Sequence, residues 1–174
     1  EAWERSGKHE AAITAWNEAL VLLSEVEQAG LSDEGTVMAA RLRRHLALAE
    51  RDRGNFDTAV SHLSAGLAAL ASREPGRELV DLLYTRSQIL SRLGDVAGVA
   101  ATTEELLSLA ERLGSPGAEG QANLAASFFH LWQNDIARAH EHAERALVNG
   151  ESGAEGQDTA ICCRAYILLA AIGL

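Results

Sequence analysis

Four short segments of the sequence align with one another without gaps and recur at a nearly constant spacing. Each begins with Gly or Asn, at positions 7, 54, 94 and 134, so successive starts lie 47, 40 and 40 residues apart. Both residue types accept the left-handed backbone conformation that ends a helix, and in three segments an Asn or Asp follows that can cap the next helix. Each segment, 7–13, 54–60, 94–100 and 134–140, therefore predicts a tight turn between two antiparallel helices.

Small and apolar residues keep the same register after each turn. Small residues on one helical face let neighbouring helices approach closely, and larger apolar side chains fill the space beside them. The second helix of each unit is therefore predicted to pack inward. The row five residues after each turn residue is Ala12, Ala59, Val99 and Ala139, and the row thirteen after it is Leu20, Leu67, Leu107 and Leu147.

Breaker-rich stretches separate these units, and both prolines, Pro75 and Pro116, lie in them. The pattern predicts an all-α solenoid of antiparallel helical hairpins, forming a single repeat domain over residues 1–174. Because the chain begins inside an apparent helix, we expect it to be part of a longer protein. The predicted units are 1–30, 36–72, 77–113, 118–149 and a half unit at 157–174. The predicted helices are 9–29, 36–53, 56–72, 77–93, 95–113, 118–133, 135–149 and 157–172.

The first of these units resembles a known repeat family. Residues 4–20, with the sequence ERSGKHEAAITAWNEAL, look like the turn and second helix of a tetratricopeptide repeat. The small residue that the family places seven positions before the turn corresponds to Ala47, Ser87 and Ser127. The 40-residue period exceeds the usual 34 and resembles the longer-helix variety found in bacterial regulatory proteins. The resemblance implies a right-handed superhelix that binds protein or peptide partners and is not an enzyme.

Charge and composition exclude several other classes of function. The chain has 15 basic and 25 acidic residues, a formal charge of −10, so nucleic acid and anionic membranes are not expected partners. The longest apolar stretch, 160–174, is too short for a bilayer span and contains Arg164. Cys162 and Cys163 are adjacent on a predicted helix and point in different directions, so we expect buried free thiols and a cytoplasmic protein.

No arrangement of side chains in the sequence indicates catalysis. His140 and His142 point roughly 200° apart on a helix, so they are not expected to bind one metal ion together. His130 precedes them on the neighbouring helix, but a third ligand is missing. Phosphate-binding loops and nucleophile motifs are also missing. We therefore expect no catalytic residue, metal or cofactor.

The first helix of each hairpin is predicted to line a concave groove, and the second unit gives this groove a cationic stripe. Arginines at helical spacing bind carboxylates or phosphates well, which makes an acidic peptide one candidate partner. The alternative is that these arginines pair with neighbouring glutamates and are only surface charges. The residues predicted to bind a partner in this unit are Arg41, Arg44, His45, Leu48 and Arg51.

The third and fourth units continue the predicted groove with a polar row and then an apolar aromatic patch. Aromatic residues contribute strongly to many protein interfaces. The alternative is that the aromatic residues pack between hairpins, with Phe129 the first to be buried. The residues predicted to bind a partner here are Tyr84, Gln88, Leu124, Phe128 and Trp132.

The last predicted helix is apolar on nearly every side, which is typical of a buried helix. Either further repeats cover it or the chain forms a homodimer through it, with Ile167 and Leu168 as the contact residues. Two other functions stay open beside the interaction scaffold. One is a regulatory domain that senses a short peptide, and the other is a structural or oligomerisation spacer.

Overall fold

A computed structural model describes residues 2–27, 32–152 and 158–173 of the chain. This part of the chain is all-helical and contains eight helices and no strand. It forms two compact units, residues 1–74 with α1–α3 and residues 75–174 with α4–α8. The helices are α1 Ala2–Glu27, α2 Asp33–Asp52, α3 Phe56–Leu70, α4 Arg77–Leu93, α5 Val96–Leu113, α6 Pro116–Trp132, α7 Ile136–Glu151 and α8 Thr159–Ile172.

Three of the four predicted turns lie where the sequence places them. Gly54, Gly94 and Asn134 have φ angles of +83°, +75° and +59°, the left-handed conformation expected of them. Asp95 and Asp135 then cap the following helices by accepting hydrogen bonds from the backbone N–H of residues 98 and 138, at 2.9 and 3.2 Å. These turns join α2 to α3, α4 to α5 and α6 to α7.

The first predicted turn, at Gly7, is wrong. Helix α1 continues through this residue from Ala2 to Glu27, so it also begins before the predicted residue 9. The residue after Gly7 is Lys8, which cannot cap a helix as Asp95 and Asp135 do. A single glycine among good helix formers costs only about 1 kcal/mol relative to alanine, so the helix runs on.

In the first unit, α1 and α2 pack together in antiparallel orientation. Ile13 packs with Leu46 and Ala49, and Trp16 and Leu20 cover this small core. At one end of the pair, the Arg53 guanidinium binds the Glu10 carboxylate at 3.0 Å. Arg73, just beyond α3, binds Asp33 at the start of α2 and donates to Thr36 Oγ1 at 2.8 Å.

In the second unit, hydrogen bonds fix the register of α6 against α7. Ser127 Oγ donates to the backbone carbonyl of Ala139 at 2.8 Å, and Asn123 Oδ1 lies 2.8 Å from His142 Nδ1. In each pair, the two residues lie on opposite sides of the turn and at a similar distance from it along the sequence, as antiparallel helices require. The row five residues after the turn is fully buried in α3, α5 and α7, at Ala59, Val99 and Ala139, so the predicted inward face is confirmed there.

Helix α8 packs closely against the ends of α6 and α7. Its Ile161 lies so near Gly120 and Gly150 that a Cβ on either glycine would come within 2.9 Å of the isoleucine. Asp158 caps α8 by accepting from the backbone N–H of Ala160 and Ile161, at 3.1 and 3.2 Å. The core cluster here is Leu124, Ala146, Ile161 and Ala165, with Tyr84, Leu147 and Leu168 packed around it.

Candidate functional site

Helix α2, in the compact unit formed by residues 1–74, carries the predicted cationic stripe. Arg41 is exposed, whereas Arg44, His45, Leu48 and Arg51 are half-buried. The Arg51 guanidinium donates to Asp52 Oδ1 from Nε and Nη2, at 2.8 and 2.6 Å. The His45 imidazole stacks on the Trp16 ring, with 5.4 Å between ring centroids. Two residues of the stripe, His45 and Arg51, therefore already make contacts within this part of the chain.

The predicted polar row lies on α4, in the compact unit formed by residues 75–174. Tyr84 and Gln88 are half-buried, and Arg164 of α8 donates to the Tyr84 hydroxyl at 2.9 Å. The Arg164 guanidinium also lies over the Tyr84 ring, 5.4 Å from its centroid. Gln88 accepts a hydrogen bond at its backbone carbonyl from Ser91 Oγ, at 2.7 Å. Tyr84 thus connects α4 to α8 as well as facing the surface.

An exposed aromatic surface lies beside this row, and we call it the aromatic face. It consists of Ser91, Phe128, Leu131 and Trp132, which line a surface cavity of about 290 Å³. Phe128 is 47% exposed and Trp132 is 41% exposed, whereas the neighbouring Phe129 is half-buried. Phe129, which the sequence predicts to be the first aromatic residue to be buried, is therefore the most buried of the three.

Leu124 lies in the core and not on this face. It is 2% exposed and belongs to the cluster formed with Ile161 and Ala165 of α8. Helical spacing alone places Leu124 on the same side of α6 as Phe128, one turn away. The docking of α8 covers that turn of α6 and leaves the next one open.

The histidines of the second unit form a stacked pair. The rings of His130 and His142 are nearly parallel, with centroids 5.4 Å apart. Burial, and then the positive charges of His130 and Arg145, hold the pKa of His142 below its ordinary value. His140 instead lies 3.5 Å from the Glu144 carboxylate. In the described ranges, no three His, Cys, Asp or Glu side chains lie close enough together to hold a metal ion.

A larger groove lies between α5 and α7, and sequence reasoning missed it. Its volume is about 950 Å³, and helix α6 forms its floor. We call it the acidic groove, because five glutamates lie along it. They are Glu104, Glu111, Glu119, Glu141 and Glu144. The sequence contains one indication of it, the pair of glutamates Glu104 and Glu111, seven residues apart on one face of α5.

Helix α8 leaves part of its apolar surface exposed. Cys162 is buried and Cys163 is exposed, and both are free thiols, so the prediction of two buried thiols is wrong for Cys163. Ile167 is 67% exposed and Tyr166 is 55% exposed. Leu168 is half-buried and packs against the core cluster. Of the two predicted self-association residues, Ile167 is therefore the one that faces outward.

Comparison with protein-family models and with curated proteins finds no match to this sequence. None of the helices described has both the length and the apolar character that crossing a bilayer requires.

Proposed function

We propose that this chain is a non-catalytic module that binds a protein or peptide partner. It would act as a tetratricopeptide-like solenoid within a larger bacterial regulatory or signalling protein. Support for the repeat comes from three left-handed turn residues 40 residues apart, at Gly54, Gly94 and Asn134. The buried small residues Ala47, Ser87 and Ser127 support the same register in the first helices.

The observation that carries this proposal is the aromatic face. Phe128 and Trp132 are two large apolar side chains left substantially exposed next to a cavity on a helical surface. A buried aromatic residue is a frequent source of binding energy at interfaces, together with arginine. The cavity between Ser91, Leu131 and these rings has room for one apolar side chain of a partner.

The test is a selection of peptides from a displayed random library on the immobilised protein. The enriched peptide is then synthesised, and its Kd is measured for the wild type and for a Phe128→Ala/Trp132→Ala variant. We expect binding at least tenfold weaker in the variant, since a hot-spot residue contributes about 2 kcal/mol or more. Arg41→Glu/Arg44→Glu/Arg51→Glu tests whether an acidic peptide uses the cationic stripe instead.

The matched control is Val96→Ala, which truncates an exposed apolar residue on α5, 43% exposed and outside the aromatic face. Circular dichroism verifies that every variant is folded. An enriched peptide that binds the wild type, the aromatic variant and the arginine variant equally well would refute the proposed binding surface.

A second candidate function is oligomerisation, which the exposed stripe of α8 favours. Cys163, Tyr166, Ile167 and Ala170 are all exposed and recur at helical spacing, so they form one continuous apolar surface. In that case Ile167 substitutions would change the assembly state, and substitutions of Phe128 would not.

A further inference from the structure

The acidic groove is a surface cavity separate from the aromatic face. Its walls are α5 and α7, which both pack against α6 and whose backbones do not pack against each other. The space between them, about 950 Å³, is at the upper end of the 300–1,000 Å³ range of ligand sites. The groove is therefore formed by the way three helices pack and not by a mobile loop.

Apolar side chains are among those that line this groove. Ala110 of α5 and Ala122 of α6 line it and are almost completely buried. Leu107 of α5 is half-buried, and Val148 of α7 is 60% exposed. A partner that enters the groove would thus bury the side chains of Leu107 and Val148, which are apolar surface still open to water.

Carboxylates line both walls of the groove. Glu104 and Glu111 lie two turns apart on α5, about 10 Å along the helix. Glu141 and Glu144 lie on α7, where the Arg145 guanidinium binds Glu141 at 2.5 Å. Arg145 is the one arginine or lysine among the lining residues, against five glutamates. A groove lined by both apolar and negatively charged side chains is complementary to an apolar side chain flanked by positive ones.

We propose that the acidic groove binds a basic amphipathic segment of a partner protein, in which lysine or arginine side chains flank an apolar residue. The apolar residue would contact Leu107 and Val148, and the flanking cations would pair with the glutamates of α5 and α7. This binding does not depend on the aromatic face.

The end of the cationic stripe of a second copy, at Arg51 and the neighbouring Arg53, is a poorer occupant. Arg51 is already bound to Asp52, and Arg53 is bound to Glu10 and Glu50. These contacts would have to break before the guanidiniums reached another chain. A segment with free cations has no such cost, so we assign the groove to a separate basic partner.

The probe is a fluorescein-labelled synthetic helix with lysines on one face and leucines on the other, together with a counterpart in which glutamates replace the lysines. Fluorescence anisotropy gives Kd with the full chain at about 50 and 300 mM salt, where screening differs strongly. We expect the lysine peptide to bind, the glutamate peptide not to bind, and higher salt to weaken binding.

Two double variants with equal charge change separate groove binding from general attraction to an acidic protein. Glu104→Gln/Glu111→Gln removes two groove carboxylates and should raise Kd about three- to tenfold. Glu105→Gln/Glu151→Gln removes two exposed carboxylates that do not line the groove and should change Kd less than twofold. Val148→Ser should weaken binding severalfold without changing the charge.

Equal Kd values for the two double variants would overturn the proposal, and so would tight binding of the glutamate peptide. Light scattering without peptide tests the second copy as occupant. Self-association at low salt that Glu104→Gln/Glu111→Gln abolishes would also overturn the assignment to a basic partner. Circular dichroism melting shows that each variant is folded, so that lost binding reports on the groove.

Discussion

At the scale of single residues, the turn between α4 and α5 depends on backbone freedom at one position. Gly94 ends α4 with φ +75° and ψ +14°, a conformation that costs most L-residues roughly 1–2 kcal/mol. Gly94→Ala should therefore lower the free energy of unfolding by about that amount, measured by urea denaturation.

Asn is the matched control at this position, because the same chain uses Asn134 at the equivalent place before α7, with φ +59°. Gly94→Asn should lose clearly less stability than Gly94→Ala, since a short polar side chain tolerates the left-handed region. Equal losses in the two variants would mean that contacts of the new side chain, and not φ, determine the effect.

A second residue-scale prediction concerns the stacked histidines. Burial, reinforced by the positive charges of His130 and Arg145, lowers the pKa of His142 in the folded chain. Below about 6.5, the ordinary value of the imidazole, the unfolded chain then binds more protons than the folded chain. Stability should therefore be complete above that pH and decrease as the pH falls below it.

The measurement is the melting temperature between pH 7.5 and pH 5, as read from circular dichroism. His142→Gln removes the titrating group and keeps an amide beside Asn123, so its melting temperature should fall less with decreasing pH. His140→Gln is the matched control, an exposed imidazole on the same helix. Unchanged pH dependence in His142→Gln would show that other groups determine the acid sensitivity, among them His62, whose pKa burial also lowers.

At the scale of elements, the accuracy of the predicted helix starts does not follow the caps. Helix α2, capped by Ser32, begins at Asp33 and not at the predicted residue 36, whereas α4 begins at its predicted residue although Gly76 before it offers no capping side chain. Helix α4 covers the predicted residues 77–93, and α5 begins one residue after its predicted start, beyond the cap at Asp95. Helix α6 instead begins at Pro116, two residues early, because proline suits the first turn of a helix, where its missing N–H is not needed. At Gly7 no cap follows, and the predicted boundary does not exist.

The residues of the candidate site could also be predicted only in part. Helical spacing identifies Arg41, Phe128 and Trp132 as exposed, because that depends on one helix alone. Whether Leu124 is covered depends on α8, which is distant in sequence. The acidic groove depends on a gap between α5 and α7, and no single helix encodes that gap. Local periodicity therefore predicts which face of a helix is exposed, whereas a groove between helices depends on how the helices pack together.

The docking of α8 gives a prediction at this scale. A Cβ at Gly150 would lie 2.8 Å from Cys162 Sγ and 3.3 Å from the backbone nitrogen of the same residue. Gly150→Val should overpack this contact, costing about 1–3 kcal/mol, and loosen α8 from α7. The buried Cys162 thiol would then become accessible beside the exposed Cys163.

Reaction with a coloured thiol reagent measures this directly. The native chain should show one fast thiol, from Cys163, and Gly150→Val should show two. Gly117→Val is the control, since Gly117 has only one atom near its Cβ position, at 4.0 Å. A single fast thiol in Gly150→Val would mean that α8 accommodates the larger side chain without moving away.

At the scale of the whole molecule, two surfaces of opposite character lie in the second unit. The aromatic face of α4 and α6 is apolar, and the acidic groove between α5 and α7 carries five glutamates of a chain whose net charge is −10. Negative charge disfavours association between copies. Self-association, where it occurs, is therefore expected at an uncharged surface, and α8 provides one.

We predict that the chain forms dimers through the exposed stripe of α8, with a mass that increases with concentration in light scattering. Exposed apolar surface on one helix favours a partner, and Ile167 is its most exposed large side chain, at 67%. Ile167→Glu should hold the chain monomeric, because it places a charge in the centre of the contact. Leu168→Glu is unsuitable, since Leu168 packs against the core.

Val96→Glu is the matched control for this prediction, because it adds the same charge at an exposed apolar residue of α5, 43% exposed. It should dimerise like the wild type, so the effect of Ile167→Glu would be assigned to α8 and not to added charge. A constant monomer mass for the wild type at all concentrations would contradict the dimer. The proposed interaction module would then depend on the aromatic face and the acidic groove without assembly through α8.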